Sequence, residues 1–230
     1  MTRAQMLTEL REVLDESTAQ YAWTESTLLG YLAEGQDEFC EQTGYFADFT
    51  THTITLATGV AIYAIPDRVI QILDIWDGTR RLGKFQETDR NQLKPDWDPT
   101  VESTLTGRPQ RWQTDGETGS ITFDRAATSA ENGETLTMRV WRYSEFALDN
   151  DDTDGEGTTA EPEIPFRFHR ACIEWAAYKA LMHHDEEQQD PVKASDHLNS
   201  FNDYVRKGKR AMQRYHGLEV RVGTSPAYRT

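Results

Sequence analysis

Hydrophobic positions along the chain change period twice, near Thr50 and near Ile164, and the predicted elements follow from those changes. Met6, Leu7, Leu10, Val13 and Leu14 recur at three-and-four spacing, which predicts a helix over 3–19. A second helix is predicted to start at Thr24, a capping residue, with Glu25 placed to favour the helix dipole. Its apolar stripe is Leu28, Leu29, Leu32, Phe39 and Cys40, and Gly44 is its stop signal. Gly35 inside that helix costs about 1 kcal/mol relative to Ala, which points to close packing against another helix. From Thr50 the period becomes alternating. THTITLA, VAIYAIP, RVIQILDIWDG, RLGKFQ, PQRWQTD, SITFDRA and ETLTMRVWRY are short β-branched or aromatic runs separated by Gly, Asp and Pro. Asp77-Gly78 and Asn132-Gly133 are hairpin signals. A short helix fits Asp89–Leu93, before Pro95.

The stretch DNDDTDGEGTTAEPEIP has almost no apolar content before Ile164 and reads as an acidic loop. Phe168, Cys172, Trp175, Ala176 and Leu181 then predict a third helix ending near His183-His184. The fourth starts with Asp190 as cap and Pro191 at the first helical position. Leu198, Phe201, Val205, Gly208 and Met212 step by three and four in a coiled-coil-like seam, and Gly217 is its stop signal. Leu218, Val220 and Val222 alternate beyond it, a strand-competent pattern. The predicted fold class is α+β: a four-helix core from N- and C-terminal helices, with an inserted antiparallel β module and an extended C-terminal tail. The expected segments are a helical pair over 1–49, a sandwich or barrel-like module over 50–148, and an acidic loop over 149–163. A helical hairpin over 164–216 and an extended arm over 217–230 complete the chain.

Composition sharpens this picture in one place. With 37% hydrophobic residues, 6 Trp, 9 Tyr and 9 Phe, the chain can build a core. No apolar run reaches the ~18 residues of a membrane span, so no membrane partner is expected. The polar N-terminal pattern is not a signal peptide, so synthesis and assembly in the cytoplasm are expected. Cys40 and Cys172 are too few for a disulfide framework and read as buried free thiols. The net charge of -15 argues against a general nucleic-acid binder. Its distribution is uneven: seven of the 24 Lys+Arg lie in residues 201–230, opposed only by Asp203 and Glu219. A basic end on an acidic body suits docking on an acidic partner or on another copy of the chain.

Candidate chemistry is sparse. Asn150, Asp152, Asp154, Glu156 and Glu161 have the spacing of a calcium-binding loop, with Gly155 at the turn. Asn150 stands where Asp is the rule, Gly157 stands at an apolar position, and a strand precedes the loop, so a solvated acidic loop is favoured and no metal is assigned. His183 and His184 diverge by about 100° on a helix and read as a helix end. Nucleophile and phosphate-loop motifs are missing, so no catalytic residue, no enzyme activity and no cofactor are expected. Arg206, Lys207, Lys209, Arg210 and Arg214 form a basic helix end. Dipole compensation, a protein interface and phosphate contact inside a ring lumen all suit it. Leu218, Val220, Val222 and Tyr228 extend the candidate interface, with strand addition to a partner's sheet edge as one mechanism.

Several motifs occur in a telling order. Trp23-Thr24-Glu25 with Leu28, Leu29 and Leu32 comes first, followed by Tyr63-Ala64-Ile65-Pro66 and the run from Ile72 to Gly78. Trp97, Gly107-Arg108-Pro109 and then Pro162-Glu163-Ile164-Pro165-Phe166-Arg167-Phe168-His169 complete the series. In this the chain resembles the head-to-tail adaptor and connector proteins of tailed bacteriophages, over roughly Trp23 to Tyr215. The resemblance implies a structural virion protein of the neck, in a ring of usually twelve copies beneath the portal. The ring would support a downstream neck or tail protein, with the C-terminal segment reaching the portal and DNA passing through the lumen. The acidic loop is longer than is usual there, so no role carries over to it. Two other readings stand beside this one. The first is another neck or tail-completion protein. The second is a monomeric carbohydrate- or peptide-binding β module with Trp76, Trp97 or Trp112 as exposed platforms.

Overall fold

A computed structural model describes residues 1–15, 23–85, 105–115, 118–145, 161–183 and 190–222. The chain divides into two compact units: Met1–Phe46 with Tyr143–Thr230, and Ala47–Arg142. The first is helical and the second is built of strands, so the α+β class expected from the pattern is what the chain adopts.

Among the described residues the helical unit contains α1 (Arg3–Val13), α2 (Glu25–Thr43), α3 (His169–His183) and α4 (Pro191–Val222), with a 3-10 turn over Phe166–Phe168 before α3. The caps act where the sequence placed them. Thr24 accepts the Thr27 amide at 3.2 Å, and Gly44 closes α2 in the left-handed region at φ 59°, its amide on the Cys40 carbonyl at 2.8 Å. Asp190 accepts the Lys193 amide at 3.0 Å and Pro191 opens α4. Two helix ends differ from expectation. α1 stops at Val13 rather than near residue 19, and Asp15 turns the chain with φ 58°. α4 does not stop at Gly217 but runs through it to Val222. A glycine ends a helix only where the backbone turns left-handed, and in a helical conformation it costs only about 1 kcal/mol. The backbone of Leu218, Val220 and Val222 is therefore helical, not strand-like, and the arm expected from residue 217 is helical over its first six residues.

α3 is the middle helix, packed against α1, α2 and α4. Its Ala171, Cys172, Ile173, Ala176, Ala177 and Ala180 are fully buried, so it has almost no solvent face apart from its rim. Small side chains let neighbours come close. A Cβ at Gly35 of α2 would lie 3.0 Å from the Trp175 Cβ and 3.1 Å from the Cys172 backbone. On the other side, a Cβ at Gly208 of α4 would lie 2.8 Å from the ring tip of Phe39. Phe201 and Val205 of the α4 seam are buried, and the Phe201 ring meets Trp175 at 4.9 Å. Cys40 and Cys172 are free and buried, and burial keeps the Cys172 thiol protonated.

One polar ladder crosses this apolar packing. Arg170 pairs with Glu9 of α1 and donates to Glu174 at 2.8 Å, and the far oxygen of Glu174 meets Nδ1 of His197 on α4 at 2.7 Å. Burial pushes the Glu174 carboxyl up, but the hydrogen bonds from His197 and Arg170 outweigh it and hold the carboxyl below its usual range. The buried carboxylate of Glu174 thus ties α3 to α4, and Arg170 extends the ladder to α1.

The strand unit consists of β1 (Phe46–Asp48), β2 (Thr53–Thr55), β3 (Ile62–Ala64), β4 (Val69–Asp77), β5 (Arg80–Arg81), β6 (Gly83–Lys84), β7 (Arg111–Asp115), β8 (Ser120–Phe123) and β9 (Thr135–Arg142). One sheet has the order β1-β9-β4-β5, with β2 also on β9; the other has the order β3-β8-β7-β6. Pairing is antiparallel except for β6 on β7, which is parallel. Ile54, Ile72, Ile75, Leu136, Met138 and Val140 from the first sheet share one core with Trp112, Ile121 and Phe123 from the second. Ile72 and Ile75 both face inward although they are three apart. The register slips by one between Ile72 and Asp74, and that bulge absorbs Leu73. Gly78 and Thr79 make the two-residue turn from β4 to β5, since Asp77 pairs with Arg80 as the last residue of β4, with Gly78 at φ 57°. Asn132 and Gly133 also lie in a turn, but β8 and β9 belong to different sheets, so it is a connection between layers and not a hairpin. Trp112 is buried, at 1% exposure, and is no exposed platform. Trp76 is half-buried, while Trp97 and Asp89–Leu93 lie outside the described residues.

Two outcomes follow. Gly35→Ala should destabilise the chain by about 1–3 kcal/mol, because the added methyl meets backbone that cannot move aside. Gly30→Ala, on the same helix with nothing within 4 Å of its Cβ, should instead stabilise by about 0.5–1 kcal/mol. Urea unfolding of the two variants checks the opposite signs. Glu174→Gln should cost about 1.5–3 kcal/mol at pH 7 through its charged hydrogen bonds. Since the folded carboxyl lies below its unfolded value of 4.5, this stabilisation is present above that pH and is lost as pH falls through the folded value. The gap between wild type and variant should therefore narrow below pH 4.5, and a gap independent of pH would contradict the ladder.

Candidate interaction surface

The basic end of α4 has two faces. Tyr204, Lys207, Ala211 and Arg214 step by three and four along one of them, with Arg210 beside them. Together with Arg167 and Phe168 from the 3-10 turn they line a hollow of about 350 Å³. Its floor is apolar: Phe168 is buried, and Ala211 presents only a methyl. Two of its cations are carried on aromatic faces. The Lys207 ammonium lies 4.7 Å from the Tyr204 ring centre, and the Arg167 guanidinium 4.8 Å from that of Phe168. Arg167 also donates to the Tyr45 hydroxyl at 3.3 Å. Phe39, Tyr45 and Phe168 form one aromatic cluster, with Phe39 and Phe168 at 5.0 Å and Tyr45 and Phe168 at 5.6 Å, so the wall that holds Arg167 is rigid. Arg210 and Arg214 form no ion pair with a described residue. Phe166, before Arg167 in the same turn, packs its ring against His169 at 5.4 Å and is 71% exposed.

Arg206 and Lys209, both exposed, do not line the hollow; Arg206 pairs with Asp203 one turn back and stands one turn before Arg210. Of the five basic residues singled out in the sequence, Lys207, Arg210 and Arg214 line the hollow and Arg206 and Lys209 do not. Leu218, Val220 and Val222 continue the same helix, and Tyr228 lies outside the described residues. So do Asn150, Asp152, Asp154, Glu156 and His184; Glu161 is described and exposed. Sequence reasoning missed Arg167, Phe168, Tyr204 and Ala211 as part of one site. The spacing of Tyr204, Lys207 and Ala211 was a usable signal. Nothing in the sequence indicated that the turn 36 residues earlier would supply the opposite wall.

The ordered motifs have structural jobs. In the strand unit, Arg108 of Gly107-Arg108-Pro109 grips Asp77 with two bonds of 2.6 Å, and Arg80 donates to the Pro109 carbonyl at 2.8 Å. Arg108 holds the Asp77 carboxyl below the usual range. This clip joins Gly107–Pro109 to the β4–β5 turn, which ends the run from Ile72 to Gly78. Tyr63 sends its hydroxyl back to the loop before β3, accepting from the Ala57 amide at 2.9 Å, and stacks edge-on against Phe123 at 5.7 Å. In the helical unit, Glu163 accepts from Ser144 at 3.2 Å and from the Glu145 amide at 2.9 Å, while its own amide donates to Gln36 at 3.2 Å. His169 lies 2.8 Å from the Ile164 carbonyl through Nε2; a carbonyl only accepts, so this nitrogen carries the proton. Burial pushes the pKa of His169 down and favours the neutral ring.

A helical unit interrupted by a two-sheet insertion, with latches at its motifs and a basic, aromatic-lined recess, is built for contact with other macromolecules. The SU10 adaptor protein family model matches residues 1–223, and the chain belongs to that family of phage head-to-tail adaptors. It is accordingly a structural component of the virion at the head–tail junction, working through contacts with other head or tail proteins. A search of curated proteins finds no match to the chain.

Proposed function

We propose that this adaptor acts as a non-enzymatic ring subunit that binds the portal through its C-terminal segment and carries the next neck or tail component. The observation that carries the reading is the membership of a head-to-tail adaptor family over nearly the whole chain. Charge supports it. A subunit with a net charge of -15 repels its copies and other acidic proteins, and the basic end of α4 is where that repulsion is locally reversed. Arg206 and Lys209, with Leu218, Val220, Val222 and Tyr228 further along, form the portal-facing set. Because α4 is helical to Val222, the portal contact is made by a helix end and the residues after it, not by a strand added to a sheet edge. Twelve copies match the ring size that the resemblance implies, with DNA crossing the lumen without sequence-specific contact. The ring is put together in the host cytoplasm.

Deletion of Gly217–Thr230 should leave a folded chain, since Val205 and Gly208 are the last buried residues of α4 among those described and Met212, Gln213 and Arg214 after them are partly or fully exposed. Circular dichroism should show a thermal transition near that of wild type, while complementation should yield heads that bear no tails. Normal tail attachment by the truncated chain would sink the proposal.

A further inference from the structure

The hollow between the 3-10 turn and α4 lies apart from Arg206 and Lys209, and its chemistry points to a different occupant. Arg167, Lys207, Arg210 and Arg214 surround an apolar and aromatic floor. Such a recess suits a short acidic peptide, whose carboxylates meet the guanidinium groups while its backbone lies on the rings. It does not suit duplex DNA: about 350 Å³ holds a few side chains, and the surrounding chain is strongly acidic. The aromatic rings of Phe168 and Tyr204 among arginines are the composition of a protein contact.

The chain itself contains the complementary segment. Residues 149–160 hold Asp149, Asp151, Asp152, Asp154 and Glu156 with no Lys or Arg. The segment is tethered to the helical unit at both ends, by Glu145 and Glu161, and a loop of this length can reach outward by roughly 25 Å at ~3.3 Å per residue. A closed ring needs two different, complementary patches on each subunit. We infer that residues 149–160 of one copy dock into the Arg167–Lys207–Arg210–Arg214 hollow of the next, making the charge-complementary contact of the ring. This inference rests on the ring reading, and it assigns the long acidic loop a place within that ring.

The test uses the full-length chain and a fluorescein-labelled peptide of residues 149–160, followed by anisotropy. The peptide should bind, and binding should weaken by at least about tenfold between 0.05 and 0.5 M salt. Arg210→Glu with Arg214→Glu should weaken it by about tenfold or more, whereas Arg206→Glu with Lys209→Glu, the same charge change outside the hollow's lining, should alter it by less than about threefold. A chain with Asp151→Asn, Asp152→Asn and Asp154→Asn should bind the peptide as wild type does when both are diluted to monomers. Much tighter binding by that chain under this condition would mean that the loop fills its own hollow, which overturns the contact between copies. No binding, equal loss in both pairs of variants, or equal competition by duplex DNA would overturn the inference as well. Tail attachment by the C-terminal truncation is read independently, so failure of the ring reading and failure of this contact are told apart.

Discussion

The helical unit depends on how closely α2 and α4 can approach their neighbours. Gly35 lets α2 lie against the backbone of Cys172 on α3, and Gly208 lets α4 receive the ring of Phe39. Both glycines carry a helix-propensity cost that exposed positions would not repay. Here the cost is offset by interior packing, since dispersion and burial fall steeply with distance. The alanines of α3 serve the same geometry from the other side. With large side chains at those positions the helices would separate, and the aromatic cluster of Phe39, Tyr45 and Phe168 would lose its support.

That cluster connects packing to function. Phe39 is held by Gly208, Phe168 is held by Phe39, and the turn that contains Phe168 presents Arg167 and Phe166. The charged recess is therefore supported from within by apolar contacts, and two of its cations, Arg167 and Lys207, are pre-positioned over rings. Pre-positioning matters for an assembly protein because long basic side chains otherwise lose rotamer freedom on binding. The polar ladder from Glu9 to His197 adds direction to the packing, since apolar faces alone would tolerate sliding of one helix along another.

The strand unit follows another logic. Its two sheets are short and share one apolar core, and its loops are fixed by latches: the Arg108–Asp77 clip and the Tyr63 hydroxyl. These are the same residues whose order in the chain gave the family resemblance. The motifs are thus legible because they fix loops, and loops need particular side chains where strands need only alternation.

Local chemistry was readable from the chain alone. The caps at Thr24, Asp190 and Pro191 and the stop at Gly44 depend on backbone geometry within a few residues, and the α+β class followed from the period of the hydrophobic positions. The basic run of α4 was equally plain. Tertiary structure decided the rest. Gly217 did not end α4, because a stop signal acts only if the backbone takes the left-handed conformation. Trp112 is in the core, because the facing sheet covers it, and no single-strand pattern records that. The recess exists only where the turn before α3 packs beside α4. Sequence determined which charges were available, and packing determined which of them face the same space.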